Sequence, residues 1–397
     1  MKNENLEKKL NSDSKPEKHE KLKSFIYKKS MNFIEKKFNE LVVEGKENIP
    51  KDDYIIFAGN HAKLFDPLVF YYLIENIPMI ARDDFLDGFP FKLKIFGKGR
   101  DLNSLLNDFL SWEFNSVPIT RGGIKPSQTK KCIKKFEENK KICFFPMGTR
   151  TTSGSIYEMY ESSDKKNPGK FVYGLQRSAG KPVNIVPFSL SYDRIAKIVT
   201  LTIGKSYNLN TSSLKSLSQK EQNIFYEKIT DDMIRNIGNL TKVYGDSILA
   251  TIIKSETSNL EEKEYRWYLK KDLFSEVFNS VVEKLNSSKK INLDKRLLGD
   301  WYSANYLNQF FSWAEKKMQF VGSGLSGDYL LHLDNIRKEP RKRIFKEDAN
   351  TSYFDNESKH LTLLQEIVTK EINESEYPLI YSEKIHRIRS RASKPLP

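Results

Sequence analysis

The chain has few of the residues that define several common classes of protein. Its only two cysteines, Cys132 and Cys143, form no Cys-x-x-Cys pair, which argues against a disulfide scaffold and a structural zinc site. The five histidines are scattered along the sequence, so we predict no metal site. No apolar run approaches the roughly 20 residues that cross a bilayer. The N-terminus also lacks the apolar stretch of a secretory signal, and we therefore expect a cytoplasmic protein.

Acidic side chains are the minority among the charged residues. Asp and Glu number 52 against 66 Lys and Arg, which gives a formal net charge of +14. Such a field attracts nucleic acid, phosphorylated small molecules, acidic carrier proteins and anionic lipid surfaces, and charge alone does not select among them. No zinc finger or groove-reading motif is recognisable, so we expect no nucleic-acid partner.

The composition and the apolar pattern of the sequence change three times along its length. Residues 1–20 are charged and poor in apolar side chains, which predicts disorder. Residues 21–45 resemble a basic amphipathic helix, whose apolar stripe could lie in a membrane interface or pack on the protein's own core. Residues 46–210 alternate short apolar runs with helical segments, as α/β proteins do. Residues 211–397 lose most strand signals, so we predict a mainly helical C-terminal region.

Individual elements follow from the same patterns. In the α/β region we predict strands at residues 54–58, 79–82, 116–120, 141–145, 184–192 and 198–203, and helices at 125–139 and 170–178. In the C-terminal region we predict helices at residues 216–240, 261–286 and 306–320.

The most informative segment runs from Gly59 to Pro67 and contains His61 and Asp66. A histidine near neutrality can accept a hydroxyl proton and return it to a leaving group, and a carboxylate can orient the imidazole. A turn between the strand at 54–58 and a helix starting at Pro67 could fold the two side chains together. The alternative is an ordinary helix start, with Asp66 as N-cap, Pro67 at the first helical position and His61 in a loop.

Three later segments each follow or form a predicted strand. The first places Arg121 in a glycine-containing turn with Lys125 at the next helix start, where a phosphate could bind. The second ends a buried strand at Pro146 and continues with Met147, Gly148, Thr149 and Arg150, which also suit a phosphate. Arg121 could equally be a solvated charge at a strand end. The third is an apolar strand with Val186 and Pro187, where proline suggests an edge, a bulge or a pocket wall.

These four ordered segments resemble the blocks of the glycerolipid acyltransferase family, which includes lysophosphatidate and glycerol-3-phosphate acyltransferases. The resemblance covers roughly residues 50 to 195. It rests on the matches His61 and Asp66, Val117 to Arg121, Phe145 to Arg150, and Val186 with Pro187. Met147 departs from the pattern, since the family usually has glutamate there.

The resemblance implies an acyltransferase-like mixed sheet flanked by helices, and transfer of a fatty acyl group to a glycerol-phosphate hydroxyl in phospholipid synthesis. His61 would be the base and Asp66 its orienter. The acceptor phosphate would bind to Arg121, Lys125, Gly148, Thr149 and Arg150, and the pocket would include Pro146, Met147, Val186 and Pro187.

The resemblance implies no cofactor, because acyl-CoA or acyl-carrier protein is a co-substrate. A phosphorylated acceptor and an anionic membrane surface are the expected partners, with the protein peripheral at the inner face of the membrane. The acceptor stays open between lysophosphatidate and glycerol-3-phosphate. The alternative is a non-catalytic, membrane-associated lipid-binding scaffold of the same fold, which Met147 and the long C-terminal region motivate.

Overall fold

The structure is a computed structural model that describes most of the chain's regular elements. It describes residues 32, 34–51, 54–61, 66–74, 77–82, 116–119, 126–146, 168–209, 218–257, 265–289, 291–317, 321–322, 329–331, 357–375 and 379–384. These residues divide into two compact units. The first includes the described residues up to Tyr192 together with 197–240, and the second includes 193–196 and the described residues from Thr241 onward.

A six-stranded sheet organises the first unit. Its main path has the order β1-β7-β6-β2-β5, with β8 paired to β6. The strands are β1 Glu40–Glu44, β2 Ile55–Gly59, β5 Lys141–Phe144, β6 Asn184–Asp193, β7 Ile198–Ile203 and β8 Tyr207–Asn208. Strand β2 is parallel to both β5 and β6, whereas β8 is antiparallel to β6. The sheet is therefore mixed, as expected.

Helices and a small second sheet complete the first unit. The helices are α1 Asp66–Leu73, α2 Pro126–Asn139, α3 Pro168–Ala179 and α4 Gln219–Leu240, and the short strands β3 Ile80–Arg82 and β4 Val117–Ile119 pair in parallel. Each predicted strand and helix of the α/β region is thus present, with ends that differ by up to two residues. The α/β fold class is confirmed.

The predicted helix over residues 21–45 is wrong at its C-terminal end. Residues 34–37 are helical, but Glu40–Glu44 form β1, which pairs in parallel with β7 at the edge of the sheet. Ile34 is fully buried and Phe38 nearly so, and both belong to the hydrophobic core of this unit. These two apolar residues therefore pack on the protein's own core. Residues 1–31 lie outside the described part of the chain, so the disorder of residues 1–20 stays a prediction.

Pro187 does not mark an edge strand, because β6 lies between β2 and β7. Proline has no backbone N–H to donate, and this is tolerated at Pro187 because the pairing of β6 with β7 ends there. Gly204, the residue that follows β7, donates its backbone N–H to the Pro187 carbonyl at 2.8 Å. Proline therefore occupies an interior strand at a place where one ladder stops.

Helix α4 belongs to the first unit, which consequently extends beyond the predicted boundary at residue 210. Close packing against α3 explains this. The Gly169 N–H donates to the Thr230 hydroxyl at 3.0 Å, and a Cβ at Gly169 would lie 2.0 Å from the Tyr226 carbonyl oxygen. Ser218 caps the start of α4: its hydroxyl accepts from the Glu221 N–H at 3.4 Å, and its own backbone N–H donates to the Glu221 carboxylate at 2.7 Å.

The second unit is mainly helical, as predicted, and also contains strands that we did not predict. Its helices are α5 Gly245–Thr257, α6 Lys271–Ser288, α7 Asp300–Lys317 and α8 Glu357–Glu374. A four-stranded antiparallel sheet has the order β12-β13-β10-β14, built from Val321–Gly322, Tyr329–Leu331, Tyr265–Leu269 and Ile380–Lys384. Strand β10 replaces the first part of the predicted helix at 261–286, because Tyr265–Leu269 pairs with strands at least 60 residues away in sequence.

A separate hydrophobic core fills the second unit. It includes Phe274, Phe278 and Phe310, whose rings are almost fully buried. The two-residue strands β9 Lys242–Val243 and β11 Asn292–Leu293 pair in parallel beside it. None of the helices in the described part of the chain is long and apolar enough to span a bilayer. The described residues also contain no group of three or more His, Cys, Asp or Glu placed to hold a metal ion.

Candidate active site

Three neighbouring parallel strands end at the same edge of the sheet. The order β6-β2-β5 places the ends of β2 and β5, at Gly59 and Phe144, side by side, and the neighbouring β6 continues beyond them to Asp193. In open parallel sheets, ligands bind beyond the carboxyl ends of the strands. Tyr192 lies at the end of β6, His61 follows β2, and Phe145 follows β5. The sheet topology therefore gathers one side chain from each strand.

His61 and Asp66 form a hydrogen-bonded pair. His61 Nδ1 lies 2.9 Å from Asp66 Oδ2, and the Asp66 side chain is completely buried while that of His61 is 14% exposed. An ionised carboxylate only accepts hydrogen bonds, so Nδ1 carries the hydrogen and Nε2 has a lone pair for a proton. Asp66 is the first residue of α1, and its carboxylate binds side chains. The arrangement is that of a general base with an orienting carboxylate.

Tyr192 binds the other oxygen of the same carboxylate. Its hydroxyl donates to Asp66 Oδ1, while the ring packs against Phe38 with centroids 5.7 Å apart. Burial raises the pKa of the Tyr192 phenol well above its usual value, and the charge of Asp66 and this hydrogen bond raise it further. The phenol therefore remains protonated and keeps its role as a donor. Asp66 thus accepts hydrogen bonds from two side chains, His61 after β2 and Tyr192 on β6.

Asn60 fixes the segment that carries His61. Its side-chain amide donates to the Leu190 carbonyl at 3.0 Å, and its amide oxygen accepts from the Leu190 N–H at 2.7 Å. Asn60 is almost fully buried. This double hydrogen bond continues the β2 pairing onto β6 beyond Gly59, the last residue of β2. Strand β6 therefore holds the His61 segment through Leu190 and holds Asp66 through Tyr192.

Aromatic rings support the imidazole. His61 stacks on Phe145 with ring centroids 4.6 Å apart and an interplanar angle of 24°. Phe145 in turn contacts Phe188 edge to face at 6.0 Å, and Phe188 packs on Phe70 at 4.4 Å. Gly59 makes this possible, because a Cβ there would lie 2.2 Å from the Phe188 ring. Phe145, Phe188 and Phe70 thus form an aromatic wall that restricts the motion of the imidazole.

The other residues singled out from the sequence divide between described and undescribed positions. Pro146 is buried directly after the end of β5, and Pro187 is buried within β6. Val186 is fully buried in the hydrophobic core of the first unit. Outside the described residues lie Arg121, Lys125, Met147, Gly148, Thr149 and Arg150.

Sequence reasoning missed three contributors to this site, namely Tyr192, Asn60 and Phe145. Tyr192 is the last residue of the predicted strand at 184–192 but received no role. Asn60 lies within the segment from Gly59 to Pro67 and was also given no role. Phe145 was a block match without a function, and no periodicity in the sequence indicates that its ring stacks on His61.

Comparisons with known proteins concern the same part of the chain. Residues 40–191 match the family model described as Acyltransferase. Over 128 residues the chain is 30% identical to a 1-acyl-sn-glycerol-3-phosphate acyltransferase of Borreliella burgdorferi. Residues 40–191 form a domain of the first unit that therefore resembles acyltransferases, and the matched relative is a glycerolipid acyltransferase. The suspected resemblance is thereby confirmed for this domain, which holds both His61 and Asp66.

The match leaves much of both proteins unaligned. It covers 32% of this chain and 45% of the Borreliella burgdorferi protein, so the chain spans under half the length of that relative. The crystal structure of the 1-acyl-sn-glycerophosphate (LPA) acyltransferase PlsC from Thermotoga maritima is 19% identical. It covers 58% of this chain and 85% of its own, with a TM-score of 0.33.

Proposed function

We propose that this chain is a glycerolipid O-acyltransferase of phospholipid biosynthesis that acylates a glycerol-phosphate acceptor. The observation that carries the proposal is the His61–Asp66 pair, with 2.9 Å between Nδ1 and Oδ2, at the carboxyl edge of the sheet in an acyltransferase-family domain. The name of the Borreliella burgdorferi relative favours 1-acylglycerol 3-phosphate, or lysophosphatidate, as the acceptor. Glycerol-3-phosphate is the second acceptor to test. A non-catalytic scaffold would have no need of an oriented base.

The reaction begins with the acceptor hydroxyl at Nε2 of His61. Nε2 takes the hydroxyl proton while the oxygen attacks the thioester carbonyl carbon of acyl-CoA or acyl-carrier protein. Asp66 keeps the imidazole in the required tautomer and stabilises its charged form. Collapse of the tetrahedral intermediate breaks the carbon–sulfur bond, and the imidazolium returns its proton to the departing thiolate. The products are an ester and a free thiol, and the chemistry needs no cofactor or covalent acyl-enzyme.

The acceptor phosphate is assigned to the basic residues that follow β4 and β5 in sequence. Strand β4 ends two residues before Arg121, and β5 ends six residues before Arg150. Arginine can bind a phosphate through two hydrogen bonds, while Gly148 and Thr149 would add backbone amides and a hydroxyl, and Lys125 a further cation. Met147 supplies no carboxylate to this segment, so acceptor binding would depend on the cations.

We also propose that the protein works at an anionic membrane surface on the cytoplasmic side. The proposed acceptor is a lipid, and the net charge of +14 favours approach to anionic headgroups. Because Ile34 and Phe38 belong to the core, deletion of residues 1–45 would damage the fold as well. Glutamate substitutions at Lys21, Lys23, Lys28 and Lys29 test the surface instead. Flotation with anionic liposomes should decrease, and unchanged flotation at low salt would contradict this localisation.

The deciding experiment is acyl transfer from labelled acyl-CoA and acyl-carrier protein to lysophosphatidate and to glycerol-3-phosphate. The parent should acylate lysophosphatidate, and His61→Ala should lose at least about 100-fold in kcat/KM, in line with loss of a general base. His360→Ala, in the Glu357–Glu374 helix of the second unit, is the matched control and should retain activity. The proposal fails if the parent acylates neither acceptor or if His61→Ala equals the parent.

A further inference from the structure

The contacts of Tyr192 go beyond what a structural tyrosine requires. Its hydroxyl donates to Oδ1 of Asp66, and His61 Nδ1 binds Oδ2 of the same carboxylate. Asp66 is completely buried, so each donor has a large effect on how well the carboxylate tolerates its negative charge. The proton affinity of a hydrogen-bonded pair is a property of the whole pair, whichever partner carries the proton.

Tyr192 is held in place independently of the pair. It lies on β6, which is paired with β2 through the register Ile55↔Asn184 to Gly59↔Phe188. Two residues before it, Leu190 makes both hydrogen bonds to Asn60. The Tyr192 ring packs on Phe38 and contributes to the hydrophobic core of the first unit. The hydroxyl is therefore presented by a rigid strand, which is how a positioning group holds its distance.

We propose that Tyr192 is a positioning residue that sets the proton affinity of the His61–Asp66 pair. The proposal rests on the proposed function of that pair as the catalytic base. By donating to Asp66, Tyr192 disperses the carboxylate's charge, so the carboxylate holds the imidazolium less tightly. His61 then releases its proton more readily and is present as the neutral base at lower pH.

The groups described around the pair are consistent with this role. Tyr192 faces it from β6, Asp66 lies at the start of α1, and the uncharged Phe145 and Asn60 flank the imidazole. Burial and the charge of Asp66 raise the pKa of Tyr192 well above its usual value, so the phenol does not ionise in the working range. Tyr192 therefore remains a hydrogen-bond donor to Asp66.

The test is the titration of His61 by NMR in the full-length parent and in Tyr192→Phe. Disappearance of one imidazole signal in His61→Ala assigns the resonance among the five histidines. Loss of a donor to a buried carboxylate should raise the midpoint of the His61 titration by about one pH unit. Tyr226→Phe is the matched control: Tyr226 is a buried tyrosine in the first unit, and its ring packs on Tyr173 at 5.5 Å. The midpoint of the His61 titration in Tyr226→Phe should equal that of the parent.

A second variant covers the case in which Tyr192→Phe fails to fold. Replacement of Tyr192 by 3-fluorotyrosine keeps the ring and makes the phenol a stronger donor, so the His61 midpoint should move down. In the acyl transfer assay, the acidic limb of the plot of kcat/KM against pH should move to higher pH in Tyr192→Phe. It should move to lower pH in the 3-fluorotyrosine protein. An unchanged His61 midpoint in folded Tyr192→Phe or in the 3-fluorotyrosine protein would overturn the proposal. The NMR titration needs no turnover, so it decides the role of Tyr192 even if no acyl acceptor is found.

Discussion

Gly59→Ala is the smallest substitution that challenges the aromatic wall of the site. Gly59 is the last residue of β2 and pairs with Phe188 in the parallel register of β6. A Cβ at this position would lie 2.2 Å from two carbons of the Phe188 ring. The favourable separation between carbons is about 3.5 Å, so the ring would have to move by about 1.3 Å.

Two opposite effects determine the change in stability. Replacing glycine by alanine restricts the unfolded chain and stabilises a protein by about 0.4–1 kcal/mol where the native backbone permits it. An extra methyl in a packed core instead costs about 1–3 kcal/mol. Phe188 is fully buried and packs on both Phe70 and Phe145, so its ring cannot move outward. We expect the overpacking to outweigh the gain from the restricted unfolded chain, so the free energy of unfolding should fall by about 1–2 kcal/mol.

Urea unfolding of the parent and the variant measures this loss. Gly174→Ala is the control, because a Cβ at that position in the Pro168–Ala179 helix would meet nothing within 4 Å. It should raise the free energy of unfolding by up to about 1 kcal/mol, as alanine does in helices. Activity of Gly59→Ala should also fall under conditions where the protein is folded, since displaced Phe188 disturbs Phe145 and, through it, the stacked His61.

A double-mutant cycle identifies the cause. In a Phe188→Leu background the ring is absent, so Gly59→Ala should cost less than it does in the parent, with a coupling of about 0.5–3 kcal/mol. If Gly59→Ala is as stable as the parent, or if its cost is the same in both backgrounds, the close approach of Gly59 to Phe188 does not determine the packing of this wall.

Two further predictions concern buried polar groups. Asn60→Ala leaves the Leu190 N–H and carbonyl without their side-chain partner, so the free energy of unfolding should fall by about 1–3 kcal/mol in urea denaturation, and no loss would contradict the clamp. In the second unit, burial and then the charge of Asp246 raise the pKa of Asp193 from 3.8 to about 7. The native state therefore binds more protons than the unfolded state between these values, so stability should fall as pH rises from about 4 to about 7. Asp193→Asn should flatten that dependence, and an identical pH profile in the variant would refute the assignment.

Local sequence patterns predict the elements of the first unit well. The segments Ile198–Ile203 and Asn184–Asp193 are rich in apolar and β-branched residues, and their burial on both faces fits strands inside a sheet. Residues near Glu40–Glu44 were mistaken for helix, because the apolar spacing at 22–41 fits a helical face. Pairing with β7, more than 150 residues later, decides their conformation instead.

The second unit shows the same limit more strongly. Tyr265–Leu269 becomes a strand through its pairs with Tyr329–Leu331 and Ile380–Lys384. The sequence of the segment itself does not predict those partners. Tertiary pairing overrides local propensity in such cases.

At the site, the order of the four blocks correctly indicated His61 and Asp66 as a pair. The supporting contacts of Asn60 and Tyr192 depend on strand β6 lying beside β2, which is information about topology. A sequence can therefore indicate a candidate catalytic pair before it indicates which residues hold that pair in place.

The central claim is that His61 and Asp66 act as one catalytic unit. The direct measurement is kcat/KM for acyl transfer to lysophosphatidate in the parent, in His61→Ala, in Asp66→Asn and in the double variant. Residues that act as a unit give strongly non-additive losses. The double variant should therefore be no slower than His61→Ala alone, within about a factor of three. If the two losses multiply, or if neither substitution slows the reaction, His61 and Asp66 are not the base and its orienter.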